Sequence, residues 1–256
     1  MKNFYLIFSL LLLIACSKDQ SVDSKVELLP GKSIISYNDG SFFASKTFSY
    51  DNNRLIKIAF SNAEAENAGY AELIYNDDLL IKINQFERND NLKEYIELKY
   101  DSNNRLEQYT IYRNAENKAY KNVVEYNSDY TIVITRYSGD FDNQTEMWDL
   151  MTFTLDANHN ITKIQTSGYQ IVYEYDSKNG VFKNLVARDV LNIMGKLDWS
   201  LNRGGMNNAL SYQFSNNQVT ENIDLNYTYN NDSYPSSVIE FSIEFGEGLH
   251  SEYIYN

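Results

Sequence analysis

The sequence predicts an all-β domain built as one large antiparallel meander of repeated β-hairpins, and three observations carry that expectation. First, 22 Tyr and 13 Phe against only 2 Pro, with abundant Asn and Ser, is a composition of many strands joined by tight polar turns. Second, an aromatic residue followed by Asp, Asn or Ser recurs along the chain. These marks are Tyr50-Asp51, Tyr75-Asn76, Tyr100-Asp101, Tyr126-Asn127, Tyr175-Asp176, Phe214-Ser215 and Tyr229-Asn230, with Leu155-Asp156 as a variant and Tyr255-Asn256 at the end. Third, the residues two positions before the marks, including Phe48, Leu73, Leu98, Val124, Phe153, Tyr173 and Tyr253, are apolar or aromatic, while those between are mostly polar. That is the period of a strand with one face inward.

Each mark leads into a turn and a second strand. In Tyr100-Asp101-Ser102-Asn103-Asn104-Arg105-Leu106 the Asp caps the turn through its side chain, and Asn104 tolerates a left-handed backbone. Asn53, Asn160, Asn179 and Asn217 fall near the same place in their own repeats, and Leu55, Leu106, Ile161, Val181 and Val219 restart a strand on the core side. A lone hairpin is marginal in water, so the units share one sheet of about 14 to 18 strands, enough to curl, split or close into a barrel. The pattern leaves curl, barrel and sandwich open. From Asn184 to Asn208 the rhythm breaks, and Val186, Val190, Met194 and Leu197 recur at near-helical spacing. A short irregular or helical insertion is expected over 184–208, with Asn184 as N-cap and Gly195 as stop.

The chain divides into a targeting segment (1–15), a tether (16–35) and one β domain (36–256). Lys2 followed by the apolar or neutral run Phe4 to Ile14 has the layout of a signal peptide. Leu13-Ile14-Ala15-Cys16 resembles the lipobox of bacterial lipoprotein signal peptides. The resemblance implies cleavage before Cys16 and lipidation of its thiol, with the attached chains anchoring the protein to a membrane. Cys16 is the only cysteine, so no disulfide forms within the chain. Ser17-Lys18-Asp19-Gln20 loosely resembles the acidic tags that send Bacteroidetes lipoproteins to the outer face of the outer membrane.

The marks and turns, with Arg54-Leu55 and Arg105-Leu106 directly after the turns, resemble the YD repeats of Rhs-type proteins. With the lipobox, the whole resembles uncharacterised YD-repeat-like lipoproteins of Bacteroidetes. Large Rhs proteins enclose a toxin. This chain has no appended toxin-like domain after its marks, and that function is not carried over.

The 35 Asp and Glu against 22 Lys and Arg repel phosphate backbones, which argues against nucleic-acid partners. No nucleophile elbow flanks a serine. His159 is expected at a turn tip and His250 in a Gly-rich loop. Asp51, Asp101, Asp156 and Asp176 hold one repeat position, which suits turn capping better than paired-carboxylate catalysis. Asp156-Ala157-Asn158-His159-Asn160 has the start of a calcium loop without its later Gly and Glu, so no metal is expected. No cofactor is expected either. Trp148 and Trp199 stand in the irregular stretches 140–150 and 184–208. They are the candidate ligand contacts, although burial at the ends or seams of the sheet is the commoner fate of Trp. The expected protein is a non-enzymatic binding or structural module of the outer membrane, held there by lipid on Cys16 and facing either the periplasm or the cell surface. Its expected partners are a glycan or a surface protein. A glycan-binding or glycan-processing accessory role and a part in a contact-dependent toxin system are the alternatives.

Overall fold

A computed structural model describes residues 27–128, 130–195, 205–242 and 248–255. The expected signal peptide, Cys16 and Trp199 lie outside them. The sheet is a closed barrel of 16 antiparallel strands, each paired with its neighbours in the chain. In order these are β1 (Pro30–Tyr37), β2 (Phe42–Asp51), β3 (Arg54–Asn62), β4 (Ala65–Asn76), β5 (Leu79–Phe86), β6 (Leu92–Tyr100), β7 (Leu106–Arg113) and β8 (Lys118–Ser128). The second half runs β9 (Thr131–Gly139), β10 (Gln144–Leu155), β11 (Ile161–Gln165), β12 (Tyr169–Tyr175), β13 (Ala209–Asn216), β14 (Thr220–Tyr229), β15 (Pro235–Ser242) and β16 (Gly248–Tyr255). β16 returns to β1, with Ser33 opposite Tyr253, and leaves no open edge. Strand pairing begins at Pro30, inside the stretch expected as a tether.

Alternation separates two walls. On β14 the buried Ile223 and Leu225 alternate with exposed Asn222, Asp224, Asn226 and Thr228. On β6 the buried Ile96 and Leu98 alternate with exposed Glu97 and Lys99. On these strands the inner wall carries the apolar rows and the outer wall the charge, while elsewhere the outer wall also exposes Ile56, Ile74, Ile81 and Leu210. Outer-wall partners face one another across strands, as in Lys57 opposite Glu72 and Lys82 opposite Glu97.

Because the even-numbered strands end at the marks, the mark residues gather at one rim of the barrel. There the tyrosines are half-buried against the core, and several tie back to an adjacent strand. The hydroxyl of Tyr50 donates to the Pro30 carbonyl (2.8 Å), Tyr100 to Leu80 (2.7 Å), Tyr175 to Ile161 (2.8 Å) and Tyr255 to Pro235 (2.9 Å). At several marks the following Asp or Asn caps the turn, whereas Asp51 accepts from the side chains of Asn52 and Arg54 instead. Asp101 Oδ1 accepts from the amides of Asn103 and Arg105, Asp156 Oδ1 from those of Asn158 and Asn160, and Asn230 Oδ1 from those of Asp232 and Tyr234. Asn104 has the expected left-handed backbone at φ 60°, whereas in other repeats that role falls on Asn52 and His159. One mark is misplaced in the expectation. Phe214-Ser215 lies near the end of the odd-numbered β13, at the opposite rim, and Val219 after it is exposed instead of entering the core. The aromatic-polar dipeptide fits either end of a strand, so the motif alone does not fix direction.

Between β12 and β13 the chain leaves the wall and plugs the barrel. Val181, Phe182, Leu185, Ala187, Leu191 and Ile193 are all buried in the common core. The Phe182 ring packs edge-on against inward-facing Phe48, with centroids 5.3 Å apart. Among the described residues of the expected 184–208 insertion, one short helix, α1 (Arg188–Ile193), forms. Its N-cap is Ala187, not Asn184, and no side chain caps it. Asn184 instead donates to the Leu28 carbonyl (3.1 Å) and the Tyr234 hydroxyl (2.7 Å), fastening the plug to the wall. Gly195, at φ 64°, follows the helix as the expected stop. Val186 N–H donates to the Asn53 carbonyl (3.0 Å), and Asn179 Nδ2 to the Asp232 carbonyl (2.8 Å), so the plug is also bonded to the turns of the marked rim.

The plug is thus part of the core. Phe182→Ala is expected to lower unfolding free energy by about 3–5 kcal/mol, while Asn226→Ala on the outer wall changes it by less than about 0.5 kcal/mol. Urea denaturation followed by circular dichroism checks both.

Candidate functional site

A recess opens at each rim of the barrel. The larger, of about 710 Å³, lies at the marked rim between α1 and the inner wall of β5 to β11. Leu80, Leu106, Ile132 and Ile161 form its floor on the wall side, and Val190 and Ile193 of α1 form the other side. Arg105, His159, Asp189 and Asn192 are its polar lining. This size and mixture suit a small molecule with an apolar body.

The polar groups at this rim are largely engaged. Arg105 Nε donates to Asp101 Oδ2 (2.9 Å), and the guanidinium lies 4.8 Å from the centre of the Tyr126 ring. The amide of Arg105, ahead of its guanidinium, holds the Asp101 carboxyl below the usual range. Arg188 pairs with Asp189 at 2.7 Å. Asp156, read above as a turn cap, also accepts from Asn160 Nδ2 (2.9 Å). His159 sits at the turn tip as expected. His250 lies on β16, opposite Ile239, instead of in a loop. Among the described residues no group of three or more His, Cys, Asp or Glu is arranged to hold a metal ion.

The second recess, of about 460 Å³, opens at the opposite rim beside β8, β9 and β10, and is lined by Glu116, Lys118, Tyr120, Ser138, Glu146 and Trp148, among others. Trp148 belongs to β10 and not to an irregular stretch, and it is 46% exposed where burial was the commoner expectation. Inward-facing Arg136 lies 3.8 Å from the centre of its ring and donates to Asp149 (3.1 Å). Next to it Arg113 lies 5.0 Å from the Tyr120 ring and 3.5 Å from Glu94. These four charged residues were not singled out from sequence. Their signal was present, since Arg136 shares a row with the apolar Ile132 and Ile134, where a charge requires partners.

No protein-family model and no curated protein sequence matches the chain. Among solved structures the fold is similar to a porin-like protein from Bacteroides uniformis, with TM-score 0.56 and 14% identity over 89% of this chain and 98% of that one. A porin-like protein from Bacteroides vulgatus is also similar, with TM-score 0.45 and 12% identity over 90% of this chain and 99% of that one. At such identities the likeness is one of fold, and it is the large closed barrel that is shared. The resemblance to YD repeats rests on the marks and turns alone.

Burial pushes the Tyr100 and Tyr109 hydroxyls up to about 12, well above the ordinary phenol range, and raises Tyr50, Tyr175 and Tyr255 in the same direction. A phenol with a raised folded-state pKa stabilises fully below its unfolded pKa, and that contribution is lost as pH rises through the folded value. The denaturation midpoint should therefore hold up to about pH 10 and fall between about pH 10 and 12. Phenolate absorbance of the native protein should lag that of the urea-unfolded chain over the same window.

Proposed function

We propose that this chain is a lipid-anchored outer-membrane protein whose barrel stands in water as a non-enzymatic binding module and does not form a channel. The observation that carries this reading is the polarity of its two walls. A barrel that spans a bilayer presents an outward apolar band about 25 Å tall over a polar interior, and a charged Lys or Arg at mid-bilayer costs about 2–4 kcal/mol. Here Lys57, Glu72, Lys82 and Glu97 stand on the outer wall of four successive strands, and the interior holds an apolar core with the plug packed into it.

The membrane address then rests on the lipobox at Leu13 to Cys16, and the porin-like neighbours are in keeping with a place in the outer envelope. The face of the membrane follows from neither. Binding is favoured over a purely structural role by the two recesses, both at rims of a wall that is otherwise closed. At the marked rim Asp101 and Asp189 are held in ion pairs with Arg105 and Arg188, which favours binding over catalysis there, because a general acid or base must be free to meet substrate.

Two measurements test the reading. Cys16→Ser should move the full-length protein from the membrane fraction to the soluble fraction. The wild-type protein added to planar bilayers should give no stepwise conductance. Retention of the variant on membranes, or regular channel steps from the wild type, would overturn it.

A further inference from the structure

We infer that Trp148 and the recess beside it form a binding site for a neutral saccharide. The inference rests on the reading of the barrel as a binding module and adds the ligand class and the residues.

The site begins with the backbone. Register shifts between Met147 and Asp149, with Met147 opposite Tyr137 and Asp149 opposite Arg136, so Trp148 is the extra residue of a β-bulge. Bulges re-aim a side chain that a regular strand would commit to one wall. The ring is braced by Arg136 and remains 46% exposed. Arg136 lies against it, and Arg136 is pinned by Asp149, whose other oxygen accepts from the Leu150 amide (2.9 Å) and the Ser167 hydroxyl (3.3 Å). The indole is thus a fixed plate with substantial exposure, which lowers the ordering cost of stacking a ligand on it.

The surroundings narrow the ligand class. A sugar ring offers a face of C–H groups bordered by hydroxyls that donate and accept. The recess supplies the aromatic plate, acceptors in Glu116, Asp140 and Glu146, a donor in Lys118, and groups capable of both in Tyr120 and Ser138. Three carboxylates disfavour phosphates and acidic sugars. A quaternary ammonium is recognised by a cage of several rings, and Trp148 already carries a guanidinium at 3.8 Å. A neutral, many-hydroxyl ligand uses every group present.

The experiment uses the full-length protein in detergent, with neutral oligosaccharides from α-glucan, β-glucan, xylan and mannan, and with choline and glucuronate as controls. Calorimetry should give saturable binding for at least one neutral set. In a Trp199→Phe background, the emission of Trp148 should shift over the same concentrations. Trp148→Ala should weaken binding by about tenfold or more, the scale expected when one ring stack is lost. Lys118→Ala should weaken it less, and unchanged circular dichroism spectra would show both variants folded. Absence of binding by every neutral set, equal binding by Trp148→Ala, or a Trp148 response to choline or glucuronate alone would overturn the inference. None of these outcomes touches the membrane address or the lack of conductance, so the two readings fail separately.

Discussion

Pairing of β16 with β1 closes the sheet, and closure imposes the requirement that organises the rest of the molecule. In a barrel of about 8 strands the inward side chains just fill the interior, whereas barrels of about 16 strands enclose a space wide enough for a channel when the inner wall is polar. Here the inner rows are Leu, Ile, Phe and Tyr. Left facing water, they would forfeit about 25 cal/mol for each Å² of apolar surface kept exposed. Something must cover them, and the chain supplies it from within. The segment between β12 and β13 brings Val181, Phe182, Leu185, Leu191 and Ile193 inside, and its glycines permit close approach. A Cβ on Gly180 would sit 2.2 Å from the Gly205 carbonyl oxygen, so two irregular segments of the plug lie nearly in contact there. The insertion that interrupts the repeat is therefore what makes a wide apolar barrel tenable.

Much of the wall could be read from sequence because it depends on local rules. The alternation around Phe48, Leu73 and Leu98, the Asp caps at the turns and the left-handed Asn104 are properties of a few adjacent residues, and they reappear as expected. What could not be read is set by distance along the chain. Asn184 looks like a helix cap because Asn commonly caps, but its amide goes to Leu28 and Tyr234, far away in sequence and adjacent only after closure. Phe214-Ser215 has the local form of a mark, yet the excursion of the plug returns the chain to the wall with that dipeptide at the other rim. Trp148 was singled out from sequence, but its place on a strand was not, because the bulge that sets its direction depends on register with β9, which no single strand encodes. The larger recess was equally invisible, since its wall side comes from seven strands and its other side from α1 and the residues just before it.

The interior is graded from one rim to the other. At the marked rim the plug excludes water, hydroxyls such as that of Tyr100 find backbone carbonyls, and burial holds their protons. Toward the opposite rim the inner rows accept charge, in Glu94 with Arg113 and Arg136 with Asp149, and each guanidinium also lies on an aromatic ring. Arginine suits both roles, because its planar group forks to a carboxylate and stacks on a ring at once. The gradient is what a plug attached at one end produces. Polar groups are tolerated only where they remain near water or are fully partnered.

The same attachment ties the end of the chain to the plug. β1 starts at the marked rim, with Pro30 opposite Tyr255, so the chain before it departs from that rim. Glu27 accepts from Asn53 (2.6 Å) and the Leu28 carbonyl accepts from Asn184, and both contacts join the departing strand to the turns and to the plug. A lipid on Cys16 would then pull on the most densely cross-bonded part of the barrel, where force is shared among Asn184, Tyr234 and the turn at Asn53. The opposite rim, with its exposed Trp148 and looser polar lining, would stand farther from the point of attachment. Such an arrangement would leave the larger recess on the tethered side and carry the recess beside Trp148 away from the surface.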